Sequence, residues 1–127
     1  MGNTNSIQKI SFKEMQLIIN NNNYTIINTL PNTNQTCLIN NTLTPEEETR
    51  EINKYLKNNK NHPIVIYGKN CIDESLIKKY TQLINLGFTN INVYVGGLFE
   101  WLTLQDIYGS NQFPTTSIEH DILKFSP

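Results

Sequence analysis

The sequence predicts a single α/β domain with a central, mostly parallel sheet of four to five strands and helices on both faces. Three observations carry this expectation. β-Branched apolar runs alternate with amphipathic stretches, the pattern of parallel strands joined by crossover helices. The run Ile64-Val65-Ile66-Tyr67 shows no polar alternation, as expected for a strand buried on both faces. The chain has 127 residues, a length that suits one domain burying about two-thirds of the surface its unfolded form exposes.

The elements follow in order. Residues 1–9 read as a flexible polar leader and residues 10–127 as the domain. Ser11 and Glu14 stand at capping-box spacing ahead of Met15, Ile18 and Ile19, which predicts a short helix. Asn20 to Asn23 then read as a loop of residues that tolerate left-handed backbone. Tyr24 to Leu30 is a β-branched run bounded by Asn and Pro, hence a strand. Thr36 to Asn40 is read as a second, short strand. Thr44, Pro45 and Glu47 start the clearest helix: an N-cap, a first-turn proline and a capping-box partner. Its acidic first turn and its Lys54, Lys57 and Lys60 toward the far end complement the helix dipole, and Ile52, Tyr55 and Leu56 are expected to face the core.

After the strand read over Pro63 to Gly68, Asp73 caps a helix that Gly87 ends in left-handed conformation. Residues 91–97 are another strand. A helix from Leu98 ends near Gly109, and Thr116 with Glu119 suggests one last short helix. Trp101 reads as a core anchor, Gly96-Gly97 as a close backbone turn, and Asp106 and Tyr108 as a solvated helix end.

Composition narrows the function classes. The net charge is -1 with a pI near 6.1, which gives no electrostatic footprint for nucleic acid. The apolar runs are too short to span a bilayer. Abundant Asn, no Ala and a single arginine, Arg50, look like a coding bias. Two cysteines, Cys37 and Cys71, without a cleavable secretory pattern, fit free thiols in a cytoplasmic chain. No zinc-ligand spacing occurs, so no metal and no cofactor is expected. His62 and His120 read as surface or capping residues, and a Cys37–Cys71 redox pair would need Cα atoms within about 7 Å.

The first six residues, Met1-Gly2-Asn3-Thr4-Asn5-Ser6, match the N-myristoylation pattern with Gly2 as the acceptor. One acyl chain gives only marginal, reversible anchoring, so the implied association with a membrane is peripheral and exchangeable. The plainer reading is a polar tail.

The segment from Pro63 to Trp101 resembles the second half of a rhodanese-like domain. Strand, cysteine loop, helix, Gly87-Phe88, strand and Gly96-Gly97 followed by Trp101 stand in that family's order and separation. Tyr24 to Asn32 is similar to its first core strand, and the resemblance runs from about Ile10 onward. It implies a small sulfurtransferase in which Cys71 takes a sulfane sulfur as a persulfide and passes it to an acceptor. Gly68, Lys69, Asn70, Ile72, Asp73, Glu74 and Ser75 would bind the substrate. A loop of inward amides at a helix N-terminus favours an anion there, and a thiolate is the nucleophile such chemistry needs. The partners implied are a small sulfur donor or a protein persulfide, and the chain is expected to be a monomer.

The sequence departs from the family pattern in ways that matter chemically. The family's cysteine stands at the tip of the strand, where this chain has Gly68, so Cys71 is displaced and the loop is longer. Asn28 and Leu30 stand where many members have aspartate and arginine, and the Cys37 region where many have histidine. No arginine follows Cys71; the phosphatase relatives place one six residues on, where this chain has Ile77, so no guanidinium fork could hold a phosphate. Asp73 and Glu74 put negative charge near the sulfur, which disfavours a thiolate and repels thiosulfate. Asp73, as cap, also competes for the amides an anion would use. The alternative is therefore a catalytically inactive rhodanese-like module that binds a protein, tethered to a membrane if Gly2 is acylated.

Overall fold

The computed structural model describes residues 7–127. Four strands, β1 (Gln8–Ile10), β2 (Thr25–Asn28), β3 (Ile64–Tyr67) and β4 (Ile91–Tyr94), form one sheet in the order β1-β4-β3-β2. Every neighbouring pair is parallel, with Thr25 opposite Ile64, Ile64 opposite Ile91 and Gln8 opposite Asn92. Four helices, α1 (Phe12–Ile18), α2 (Pro45–Asn58), α3 (Glu74–Asn85) and α4 (Gly97–Tyr108), supply the crossovers and the covering layers.

The period-two geometry of β3 divides the core in two. Val65 and Tyr67 join Met15 and Ile18 of α1 and Leu98, Trp101 and Leu102 of α4 on one face. Ile64 and Ile66 join Leu76 and Leu83 of α3 on the other, where Ile52, Tyr55 and Leu56 of α2 pack half-buried. All four β3 residues are fully buried, as the unbroken apolar run requires. Trp101 is buried too, and its indole N–H donates to Pro114 O at 3.1 Å, so the anchor's one polar atom is satisfied.

The caps form where the spacing puts them. Ser11 with Glu14 and Thr44 with Glu47 make reciprocal capping boxes, and Gly87 takes φ 101 after α3. The differences lie where the pattern was thin. Gln8 and Lys9, expected in a flexible leader, pair with β4; β1 is a three-residue edge strand with Ile10 its sole buried residue, too short to leave a periodic signal. Thr36 to Asn40 is no strand: Ile39 makes one isolated bridge to Thr115, and its N–H donates to the Tyr67 hydroxyl at 3.1 Å. The last helix is a single 3-10 turn, Ile122–Phe125. Thr116 caps nothing there, because its hydroxyl accepts from the Leu38 N–H and donates to Thr36 O. Glu119 pairs instead with Lys124 at 2.6 Å. The left-handed asparagine is Asn41, φ 70, and none of Asn20 to Asn23 has a positive φ.

His62 is half-buried, stacked on Tyr55 at 3.6 Å and hydrogen-bonded to Thr25 at 2.8 Å; His120 is exposed. Among the described residues no helix is long and apolar enough to cross a membrane. Gly2 lies outside the described residues.

Candidate functional site: the loop between β3 and α3

Parallel strands point their carboxyl ends at one edge of the sheet, and the loop from Gly68 to Asp73 leaves β3 at that edge. It closes on itself through one side chain. Asp73 is the N-cap of α3, and its Oδ1 accepts from the Ser75 N–H at 3.1 Å and from the Ser75 hydroxyl at 2.8 Å. Its Oδ2 accepts from the Lys69 N–H at 2.9 Å, across the mouth of the loop. The Ser75 hydroxyl also lies 2.9 Å from Thr29 Oγ1 and 3.0 Å from Thr29 O, tying the cluster to the end of β2. Two backbone amides and a hydroxyl thus converge on one carboxylate.

That carboxylate fills the space in front of Gly68. A Cβ at position 68 would stand 2.5 Å from Asp73 Oδ2 and 2.8 Å from Thr29 Oγ1. Any side chain there must first displace Asp73. In chemical terms the loop is an anion cradle, and the protein supplies the anion.

Burial by itself would raise the Asp73 carboxyl. The hydrogen bonds from the Lys69 amide, the Ser75 hydroxyl and the Ser75 amide, helped by the Lys69 charge, outweigh it and hold the group below its ordinary 3.8. A folded value below the unfolded one means stability that is fully present above pH 3.8 and lost as pH falls through the lower folded value. At neutral pH Asp73→Asn, which keeps one oxygen for the cap but loses the acceptor that meets the Lys69 N–H, should therefore destabilise by about 1 kcal/mol, the net worth of one hydrogen bond. The gap to wild type should narrow on acidification below pH 3.8, as read from denaturant midpoints. A gap constant with pH would refute a charged cap.

The remaining predicted residues are distributed around this closure. Asn70 is buried; its side chain accepts from the Ile72 N–H at 3.0 Å and donates to Phe125 O at 2.8 Å, clamping the loop to the C-terminal turn. Glu74 begins α3 and is exposed, as is Ile72. Cys71 is an exposed free thiol at the outer bend of the loop. It borders two cavities, one of about 300 Å³ against Phe99, Thr103 and Leu104 of α4, the other of about 260 Å³ against Ile77, Val93 and Val95. Cys37 is buried and donates to Ser117 O at 3.3 Å; both cysteines are free.

The start of α4 holds the loop from the other side. Gly97 has φ 68, and its Leu98 and Phe99 neighbours donate N–H bonds to Gly68 O at 3.0 Å and Lys69 O at 2.8 Å. Those amides are spent on backbone carbonyls. Thr29, Gly97 and Phe125 were not legible as site residues. Each acts through a contact distant in sequence, and only Gly97 left a local signal, in the paired glycines.

Among the described residues no cluster of three His, Cys, Asp or Glu side chains is placed to hold a metal. No curated protein matches the sequence. Solved structures that resemble it include the rhodanese-like domain of the Alr3790 protein from Anabaena sp., at TM-score 0.63 and 17% identity over 89% of this chain and 81% of that one. The BH2092 protein of Bacillus halodurans aligns at TM-score 0.62 and 13% identity over 77% and 73%. The single domain sulfurtransferase RDL2 of Saccharomyces cerevisiae aligns at TM-score 0.57 and 15% identity over 89% and 100%. At such identities the likeness is one of fold. The profile of the rhodanese-like domain matches residues 12–104, most of the chain, including all of β2, β3 and β4, so this protein belongs to the rhodanese-like domain family.

Proposed function

We propose that this chain is a catalytically inactive rhodanese-like module whose role is to bind a protein partner, with a reversible membrane contact added if Gly2 is acylated. The observation that carries this reading is the Asp73 carboxylate, which occupies the amide cradle and stands 2.5 Å from where a Cβ at Gly68 would be. A persulfide anion needs those same amides. With a carboxylate already there, the cradle can neither stabilise a thiolate nor receive thiosulfate, whose negative charge Asp73 opposes. The fold then serves as a scaffold, and recognition is the use left to it.

A second reading keeps Cys71 as the sulfur carrier. What favours it is the exposure of that thiol beside two cavities. The thiolate would attack the sulfane sulfur of thiosulfate, form an S–S bond and release sulfite, then yield its outer sulfur to an acceptor thiol.

Intact-mass analysis separates the two. Wild type and Cys71→Ser are incubated with thiosulfate and, separately, with polysulfide. The binding-module reading expects no adduct of about 32 Da, one sulfur atom, with thiosulfate, and no faster uptake from polysulfide than free glutathione shows. A thiosulfate-derived adduct on wild type that Cys71→Ser lacks would establish the sulfurtransferase instead.

A further inference from the structure

We infer that the polar cleft between α2 and α3 is a binding site for a small organic oxyanion, a site that shares Thr29 and Ser75 with the Asp73 cluster but includes neither Cys71 nor Asp73. The cleft is an open groove of about 600 Å³ beside the carboxyl end of β2, within the roughly 300–1,000 Å³ that small-molecule sites occupy. Its position outside the carboxyl end of a parallel strand is where α/β sheets place ligands.

Four segments line it. Thr29 follows β2 and Asn32 begins the short turn beyond it; Thr49 comes from α2; Ser75, Lys78 and Gln82 come from α3. Ser75, Lys78 and Gln82, with Lys79, recur at the spacing of one helical stripe. The adjacent face of α3, about a quarter-turn away, carries Leu76 and Leu83 into the core. α2 and α3 therefore share the sheet-facing core but part above it, and polar groups line the gap.

The charges in the gap are unequal. Glu48 of α2 and Lys79 of α3 meet at 2.6 Å, with side chains only 19% and 23% exposed. This pair spans the two helices, sets the width of the cleft and cancels its own charge. Lys78 is left over: among the described residues it has no carboxylate partner. The lining thus presents one uncompensated ammonium amid hydroxyls and the Asn32 and Gln82 amides. Its complement is a molecule with a carboxylate or a phosphate ester and further groups able to share hydrogen bonds. A carboxylate and a phosphate present the same chemistry to Lys78, a negative oxygen that accepts from an ammonium.

Amide chemical-shift titrations test this with succinate, glycerol phosphate and inorganic phosphate, and with glycerol as a neutral control. At least one of the three anions should give saturable shifts confined to Thr29, Thr49, Ser75, Lys78 and Gln82, and glycerol none. Succinate alone would identify a carboxylate ligand, and either phosphate probe alone a phosphorylated one. Lys78→Gln, a change at an exposed position, should weaken binding about tenfold, the worth of one charge-assisted hydrogen bond. No saturation by any anion in the millimolar range, or binding unchanged in Lys78→Gln, would overturn the site. Either failure leaves the sulfur-transfer assay unaffected, because neither Cys71 nor Asp73 lines this cleft.

Discussion

The double variant Gly68→Cys/Asp73→Gly should acquire a sulfur of about 32 Da from thiosulfate that wild type does not take. The argument is spatial and electrostatic. Position 68 is the first after β3, buried, and enclosed by the amides that now serve Asp73. A cysteine there cannot coexist with the carboxylate, whose Oδ2 would lie 2.5 Å from its Cβ. Removing the carboxylate frees the Lys69 and Ser75 amides and the start of α3, three sources of partial positive charge directed at one point. The Thr29 hydroxyl, 2.8 Å from the new Cβ, must also rotate, and it sits on a side chain able to do so. Glycine is tolerated at an N-cap for a few tenths of a kcal/mol, and loss of the bond to the Lys69 amide adds about 1 kcal/mol, so the helix should persist.

The single variants make the claim specific. Gly68→Cys alone places its sulfur against a carboxylate and should stay inert; Asp73→Gly alone opens the cradle with no thiol in it. A folded double variant, verified by thermal melting, that gains no sulfur would show that something other than Asp73 keeps this loop from sulfur chemistry.

Gly97→Ala should be the most destabilising single substitution in the neighbourhood of the loop, by about 3 kcal/mol or more. Two effects add. The residue has φ 68, a conformation in which a Cβ costs about 1–2 kcal/mol. That Cβ would also stand 2.6 Å from Gly68 O and 2.9 Å from both Asn70 N and Lys69 C. These are backbone atoms, and none can swing aside. Relief requires α4 to draw back from the loop, which breaks the bonds from the Leu98 and Phe99 amides. For a domain of this size the melting temperature should fall by about 10 °C or more. Gly96→Ala is the control. Its backbone is right-handed, and the atoms its Cβ would meet all belong to the Glu100 side chain. The Glu100 carboxylate can turn away at the cost of its 2.6 Å bond from the Tyr94 hydroxyl, and Glu100 Cβ, at 2.9 Å, must give by a few tenths of an ångström, so a smaller loss than at Gly97 is expected. Equal losses at the two glycines would refute the backbone contact as the cause.

Most local signals were sufficient, but the capping-box spacing of Thr116 and Glu119 was not, because Thr116 is drawn into bonds with Leu38 and Thr36. Capping boxes at Ser11 and Thr44 need only four consecutive residues, and both formed. The Ile64–Tyr67 run could belong only to a doubly covered strand, because nothing in it tolerates water on either side. Gly87 takes the left-handed conformation expected of it at the end of α3. Signals that depend on a distant partner failed. β1 exists because β4 offers it an unpaired edge, and the Thr36 to Asn40 segment is arranged by the Tyr67 hydroxyl and by Thr115 and Thr116 rather than by its own apolar content.

The site divides along the same line. The order of residues alone determined that a loop joins a buried strand to a capped helix, that Cys71 lies in it, and that Asp73 caps the helix. Only the tertiary structure decided what the cap does besides capping. A carboxylate has two oxygens, and a helix N-terminus in isolation fixes one of them. The second was assigned when β3, α4 and the C-terminal turn folded the loop back until the Lys69 amide met it. That meeting depends on groups brought together across three elements, and no local pattern encodes it.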